Sequence, residues 1–289
     1  MIAQLLSLAF LAQVIRIALP YALAAMGGAV TERAGVIDLA LEAKLLFGAF
    51  AAAAVAHATG SPVLGIGGGM AAGALVALLQ VTLALRLGAD QVIVGVALNL
   101  LALGGTRFLL QLLYGEGANS PPVEGVGTAV VANPITWIAL AAAVGLPLAI
   151  ARTRWGLRLR AAGDRPDALI AVGVAPVRAR QAAALVGGAL AGAGGAQLSL
   201  SVGGFVADMS GGRGYIALAM VILAGWRPQL AAVGCAGVAL AEALNIQLQV
   251  AAVGIPHELA QLAPYVLTLL VLIVLGGKAG RPPGSLGKA

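Results

Sequence analysis

The sequence has few charged, aromatic, cysteine or histidine residues. Only 10% of its 289 residues are charged and 4% are aromatic, whereas soluble domains carry about 25% charged residues. Cys235 is the only cysteine, which excludes an intrachain disulfide. His57 and His257 stand far apart with no cysteine partners, which argues against a metal site. No pairing of serine with histidine, or of histidine with glutamate, indicates a membrane-embedded enzyme.

Apolar residues are correspondingly abundant. They make up 61% of the chain, and the mean hydropathy is +1.00. Such a composition predicts one all-α, polytopic membrane domain over residues 1–289, because no soluble fold of this size hides so much apolar surface. With about 20 residues needed per crossing, the apolar stretches predict spans at 14–32, 36–57, 63–86, 91–114, 135–151, 181–203, 229–250 and 262–277. Residues 214–226 are too short to cross and predict a half-helix.

The net charge of +6 is distributed as in a membrane protein and does not indicate nucleic-acid binding. Seven arginines lie between Arg152 and Arg180, and more basic residues lie in the C-terminal tail, so both segments are predicted to be cytoplasmic. The gap 115–134 has glutamates but no lysine or arginine and is predicted to be the outside loop. The N-terminus lacks the basic region of a cleaved signal peptide, so we expect it to be retained. Counting the spans back from the arginine-rich segment places it outside.

The arginine-rich loop 152–180 contains the pattern of a short capped helix. Asp164 can cap its start, Pro166 suits its first turn, and Asp167 completes a pattern like a capping box. Gly173 can end the helix in the left-handed conformation. The apolar residues between them predict an exposed face that docks either on a protein partner or on lipid headgroups.

A charged stretch interrupts the apolar sequence after the first predicted span. Gly35 allows the backbone to leave a continuous helix, and the neighbouring charges are Glu32, Arg33, Asp38, Glu42 and Lys44. We expect Glu32 to pair with Arg33 and Asp38 with Lys44, and Asp38 and Glu42 to share a helix face. Either this network fixes a broken helix, which we favour, or Asp38 or Glu42 touches a substrate pathway.

Other polar residues inside predicted spans are candidates for the pathway. Asn99 is the first, with an interhelical hydrogen bond as the alternative. Glu242 either lines a pore or pairs with an arginine, and Asn245 lies one turn further on. A Gly-Gly-Ala followed by a charged break and a short apolar helix occurs twice, near residues 27–46 and 194–222. The two copies are predicted to run in opposite senses, as in transporters built from inverted repeats.

Four segments resemble the permease subunits of bacterial ABC importers for nucleosides and simple sugars, in the branched-chain amino acid and ribose permease superfamily. They are TERAGVIDLALEAKLLFGAFAA, GADQVIVGVALNLLALGGTRFL, WGLRLRAAGDRPDALIAVGV and SGGRGYIALAMVILAGWRP, which together span residues 31 to 228 in the order of that family. The family pattern has Asn where Asp38 stands and residues like Gly-Met where Ala43 and Lys44 stand. Either the added Asp and Lys compensate each other as a pair, or they change which solute is accepted.

The resemblance implies a pore subunit of the bacterial inner membrane that moves a small polar solute by alternating access. Its partners would be an ABC ATPase, a second permease (identical or different) and an extracytoplasmic solute-binding protein. ATP and Mg²⁺ would bind the ATPase, because this chain has no phosphate loop and implies no cofactor of its own. A stand-alone secondary transporter or channel is the alternative, against which the docking helix counts.

The resemblance also implies roles for particular residues. Gly212, Arg213 and Gly214 would hold a second helix break, as Glu32, Arg33 and Gly35 hold the first. Coupling to the ATPase would fall to Asp164, Arg165, Pro166, Asp167, Ala168, Leu169, Ile170, Ala171, Val172 and Gly173.

Overall fold

The computed structural model describes residues 7–127, 129–250, 266 and 281–287, and these confirm an all-α membrane protein. Seven of the described helices are long and apolar enough to cross a membrane. The helices are α1 (Leu8–Arg33), α2 (Leu41–Thr59), α3 (Pro62–Leu85), α4 (Gln91–Tyr114), α5 (Pro134–Arg152), α6 (Arg154–Asp164), α7 (Pro166–Ala171), α8 (Pro176–Val202), α9 (Arg213–Leu223) and α10 (Pro228–Val250).

The structure corrects two of the predicted spans. The first helix begins at Leu8 and not near residue 14. The span predicted for 36–57 is wrong at its start, because residues 34–40 form an irregular segment and α2 begins only at Leu41. Gly35 has a φ of 96°, a left-handed conformation that favours glycine. The half-helix is confirmed as α9, while the span predicted for 262–277 lies outside the described residues apart from Val266.

Polar residues before the helices explain where several of them begin. The Asp90 carboxylate accepts hydrogen bonds from the backbone nitrogens of Val92 (2.9 Å) and Ile93 (3.0 Å), which caps α4. Asn133 caps α5 in the same way, accepting from the nitrogen of Ile135 at 2.9 Å. Each side chain satisfies backbone donors that have no partner within the helix.

Helix α8 forms the centre of the bundle and packs on its neighbours through glycines. A Cβ added to Gly73 of α3 would lie 2.2 Å from the carbonyl oxygen of Gly188. A Cβ on Gly27 of α1 would lie 2.3 Å from the oxygen of Gly187. Backbones this close require small residues, which is how membrane helices gain packing contacts without a hydrophobic driving force.

The two ends of the bundle are distinguished by the loops that gather there. At one end, which we call the arginine-loop end, residues 152–180 lie against the end of α1, where a Cβ on Gly163 would be 2.1 Å from the oxygen of Arg33. At the opposite end, residues 118–123 pair with residues 203–207 through backbone hydrogen bonds. The α2 and α4 helices also end there, since the rings of His57 and Tyr114 are in edge contact.

Candidate functional site

The two irregular segments of the bundle, residues 34–40 and 203–212, meet at Glu42. One carboxylate oxygen of Glu42 accepts a hydrogen bond from the nitrogen of Gly212 (2.8 Å), and the other from that of Gly214 (2.7 Å). A Cβ on Gly214 would lie only 2.4 Å from the nitrogen of Glu42, so this contact needs glycine. The first turns of α2 and α9 thus meet at one carboxylate, which suits the positive end of a helix dipole.

From this meeting point the two helices leave in opposite directions. The α9 helix leads to Trp226, whose carbonyl oxygen accepts from Arg33 Nη1 at the arginine-loop end (3.4 Å). The α2 helix leads to His57 at the opposite end. The prediction of two broken helices that run in opposite senses is therefore confirmed.

Asn99 ties α4 to both breaks. Its side-chain oxygen accepts from the nitrogen of Ala43 at 2.9 Å, and its amide nitrogen donates to the oxygen of Leu39 at 2.9 Å and the hydroxyl of Tyr215 at 3.1 Å. The side chain is buried, with all three contacts inside the protein. This geometry is the interhelical hydrogen bonding that was the alternative to a pathway role, and the pathway role stays a prediction.

The charges of the first break form a network that differs in part from the prediction. Asp38 and Lys44 are ion-paired, and both side chains have 0% exposure. Glu32 is not paired with Arg33 but accepts from the nitrogen of Asp38 (3.1 Å) and from the indole nitrogen of Trp226 (2.6 Å). Asp38 does not share a helix face with Glu42, because it lies in the irregular segment before α2.

Two glutamines hold the backbone of the first break. The nitrogen of Ile37 donates to Gln91 at 2.8 Å, and its oxygen accepts from Gln80 at 2.9 Å. Irregular backbone within a membrane protein needs such partners, since lipid offers none.

Arg213 braces the second break. It donates to Glu242 at 2.9 Å and to the oxygens of Met209 (3.1 Å) and Ser210 (3.4 Å), and its guanidinium lies 5.6 Å from the centre of the Tyr21 ring. The Tyr21 hydroxyl donates to the second oxygen of Glu242 at 2.9 Å. Of the two predictions for Glu242, the arginine pair is what the structure contains. Asn245 is half-buried three residues further along α10.

A cavity of about 790 Å³ opens between the N-terminal half of α1 and the end of α8, with Arg213 in its wall. None of the five predicted pathway residues lines it. Its polar lining consists of Gln13, Arg16, Gln197, Ser201 and Arg213. Sequence reasoning missed the first four, although the spacing of three between Gln13 and Arg16, and of four between Gln197 and Ser201, places each pair on one helix face. Within the described part of the chain, Arg16 makes no hydrogen bond or ion pair, and no cluster is suited to a metal ion.

The arginine-rich loop contains the predicted short helix with a different start. Asp164 is not its cap but the last residue of α6, and Arg165 takes the cap position without a side-chain hydrogen bond. Pro166 begins α7, and Gly173 follows it with a φ of 74°, as predicted. Leu169 is buried, while Ile170 and Val172 are 62% and 71% exposed. The α7 segment therefore presents an apolar face that the rest of the described chain leaves uncovered.

A helical bundle whose two broken helices meet at their N-termini is the organisation of a membrane transport pore. The model of the family described as the permease component of branched-chain amino acid transport systems matches residues 10–275. The chain belongs to this family and is the pore-forming permease subunit of an ABC importer, a transport subunit and not an enzyme.

Individual relatives align over most of their length. A guanosine ABC transporter permease protein of Bacillus subtilis is 31% identical over 97% of this chain and 96% of its own. A nucleoside ABC transporter permease protein of Lactococcus lactis is 30% identical over 91% and 90%. A protein named as a glucose ABC transporter permease of Haloferax volcanii is 35% identical over 78% and 74%. No solved structure matches the chain significantly.

Proposed function

We propose that this subunit couples to an ABC ATPase through the segment from Asp164 to Gly173, with α7 as the inserted element. The observation that carries the proposal is the uncovered apolar pair Ile170 and Val172 beside the buried anchor Leu169. An exposed apolar patch on a short helix is typical of a protein interface. The many arginines around α7 keep this end of the bundle in water and out of lipid.

This assignment sets the orientation in the bacterial inner membrane. The arginine-loop end is cytoplasmic by the positive-inside rule, and the C-terminal segment 281–287 lies at the same end, so the C-terminus is cytoplasmic as well. Residues 115–127 at the opposite end face outside, where a solute-binding protein delivers the ligand. A second permease, identical or different, completes the pore, and ATP and Mg²⁺ bind the ATPase.

The bilayer surrounds the outer helices. Long aliphatic side chains are exposed along α3, α4 and α5, among them Leu75, Leu79, Leu100, Leu112, Leu140 and Val144. Their aliphatic character suits contact with lipid tails, and the exposed Arg107 of α4 is paired with Asp208.

We propose a nucleoside as the solute, and a simple sugar as the alternative. The cavity at the outer end has a volume within the range of small-molecule sites, about 300–1,000 Å³. Among the described residues, its lining offers amides, a hydroxyl and guanidinium groups but no carboxylate. Such a surface supplies hydrogen bonds to a neutral solute rich in acceptors, such as a purine with its ribose. Two of the relatives described above are named for nucleosides and one for glucose.

The coupling proposal is tested with Ile170→Asp in the chain expressed with its neighbouring transporter subunits. A carboxylate on the docking face should prevent association with the ATPase, because a buried unpaired charge is costly. The matched control is Val131→Asp, which places the same charge on a side chain 74% exposed at the opposite end. Co-purification of the ATPase and thermal stability in detergent are measured for both. If the Ile170 variant retains its ATPase and normal uptake, α7 is not the coupling helix.

A further inference from the structure

The C-terminal segment 281–287 is inserted between two parts of the molecule that are distant in sequence. On one side lies the end of α6, directly before the coupling helix α7, and on the other lies the first helix break. The sequence alone predicted this segment only as part of a basic, cytoplasmic tail. Its contacts are more specific than an electrostatic tail requires.

Ser285 binds the end of α6. Its backbone nitrogen lies 2.7 Å from the carbonyl oxygen of Gly163, and its hydroxyl lies 2.7 Å from the same oxygen and 3.0 Å from that of Ala162. These carbonyls belong to the last turn of α6, where no intrahelical donor remains. Arg180 adds a cation at this helix end and donates to the Ser285 hydroxyl at 3.3 Å. Ser285 thus caps α6 from another part of the chain.

The same segment binds the first break. The nitrogen of Gly287 donates to the oxygen of Gly35 at 3.2 Å. A Cβ on Gly35 would lie 3.0 Å from the Ser285 hydroxyl and 3.3 Å from the Cα of Gly163, so the three residues converge at one point. Leu286 packs against the apolar cluster that contains Leu41, the first residue of α2.

These contacts add to a continuous path from the docking face to the middle of the bundle, in which Gly163 also lies directly against Arg33 and Ala34. It runs from α7 through Gly163 and Ser285 to Gly35, and then along residues 34–40 to Glu42, which holds the second break. Energetic coupling between distant sites needs such a connected set of packed and hydrogen-bonded groups.

We propose that the C-terminal segment 281–287 is a positioning element that links the coupling helix to the first helix break, with Ser285 as its central residue. The inference rests on the proposed ATPase coupling at α7. Movement of α7 on nucleotide binding reaches residues 34–40 mainly through the hydrogen bonds of Ser285, beside the packing contact of Gly163 with Ala34. The ATPase is held by α7 itself and not by this segment.

The test uses the assembled complex in lipid nanodiscs, with ATP and vanadate as the only ligands. Amide hydrogen exchange of residues 34–40 is measured with and without nucleotide in the wild type, Ser285→Ala, Ser285→Cys and Arg281→Gln. Cysteine is close to serine in size but a weaker donor, so it keeps the packing if alanine impairs folding. Arg281 is exposed in the same segment and makes no hydrogen bond or ion pair with the described residues, which makes it the matched control.

We expect Ser285→Ala to co-purify with the ATPase as the wild type does. The nucleotide-induced change in amide exchange at residues 34–40 should fall by about fivefold, because losing one ordinary hydrogen bond changes an equilibrium constant by about that factor. Ser285→Cys should be intermediate and Arg281→Gln unchanged. An undiminished response in both Ser285 variants overturns the proposal. Loss of the ATPase from both also overturns it, because Ser285 would then serve docking. If the wild-type chain itself does not bind an ATPase, the proposed function fails, and the link fails with it.

Discussion

Asp38 and Lys44 form a buried ion pair, so the change in stability on replacing one of them depends on whether the other is still charged. Both side chains are fully buried, and the second carboxylate oxygen of Asp38 has no hydrogen-bond partner in the described part of the chain. Removing one member of a buried pair costs about 3–5 kcal/mol, because it leaves an uncompensated charge, whereas replacing both by neutral groups is often neutral. We therefore expect Lys44→Met to destabilise strongly and Asp38→Asn/Lys44→Met to recover most of the loss.

The two single variants should differ from each other. In Lys44→Met the Asp38 carboxylate stays near that of Glu32, which accepts the Asp38 backbone N–H, and Asp38 has lost the ion-pair partner that the described residues give it. In Asp38→Asn, the Glu32 carboxylate still lies near Lys44 and partly compensates its charge. Lys44→Met should therefore be the less stable of the two. The double variant also returns these positions towards the Asn and Met-like residues of the family pattern that the sequence resembles.

The assay is thermal unfolding in detergent, followed by fluorescence-detected size exclusion. A loss of 3–5 kcal/mol corresponds to a fall in the apparent Tm of about 10 °C for a chain of this size. The control cycle uses Arg107 and Asp208, an ion pair with side chains 59% and 35% exposed, where coupling should stay below about 1 kcal/mol. If the effects of Asp38→Asn and Lys44→Met simply add in the double variant, the reasoning about the buried pair is wrong.

Two further predictions concern the second break and the cavity. Gly214→Ala places a methyl group against the Glu42 backbone and should lower the free energy of unfolding by about 1–3 kcal/mol or more. In the control Gly237→Ala the added carbon meets nothing within 4 Å, so this variant should be neutral or stabilising. Equal melting temperatures for the two variants would contradict the close contact. Arg16→Gln should lower uptake of radiolabelled guanosine at limiting concentration by about tenfold, because a charged hydrogen bond to the solute is lost. Arg107→Gln, outside the cavity, should leave uptake unchanged. Unimpaired uptake by the Arg16 variant would show that the cavity is not on the pathway.

Local sequence patterns predicted the parts of the fold that local physics decides. Apolar length predicted the seven spans that the structure describes, two of them with a wrong start, and the half-helix α9. The spacing around Pro166 and Gly173 predicted the short helix α7. Opposite charges six positions apart gave the pair of Asp38 with Lys44. The error at Asp164 has a local cause as well. Pro166 takes the first helical position, which puts Arg165 at the cap, and the residue before a proline disfavours the helical conformation, so α6 ends at Asp164.

The contacts that hold the breaks together could not be predicted in this way. Glu42 meets Gly212 and Gly214 across 170 and 172 positions, and Ser285 meets Gly163 across 122. Such contacts follow from how whole helices pack on one another, and the spacing of residues along the sequence does not reveal that packing. The pairing of Glu32 with Arg33 failed for a related reason, since neighbours in a helix point to different faces and Glu32 reaches Trp226 on another element.

The central claim is that this chain moves its solute only when an ATPase acts on it from the cytoplasmic side. The most direct measurement is uptake of radiolabelled guanosine and glucose into vesicles containing the complex purified from native membranes, with ATP or a non-hydrolysable analogue inside and the copurified binding protein outside. We predict uptake with ATP, none with the analogue, and an ATPase subunit in the purified complex. Uptake by this chain alone, independent of ATP, would contradict the account.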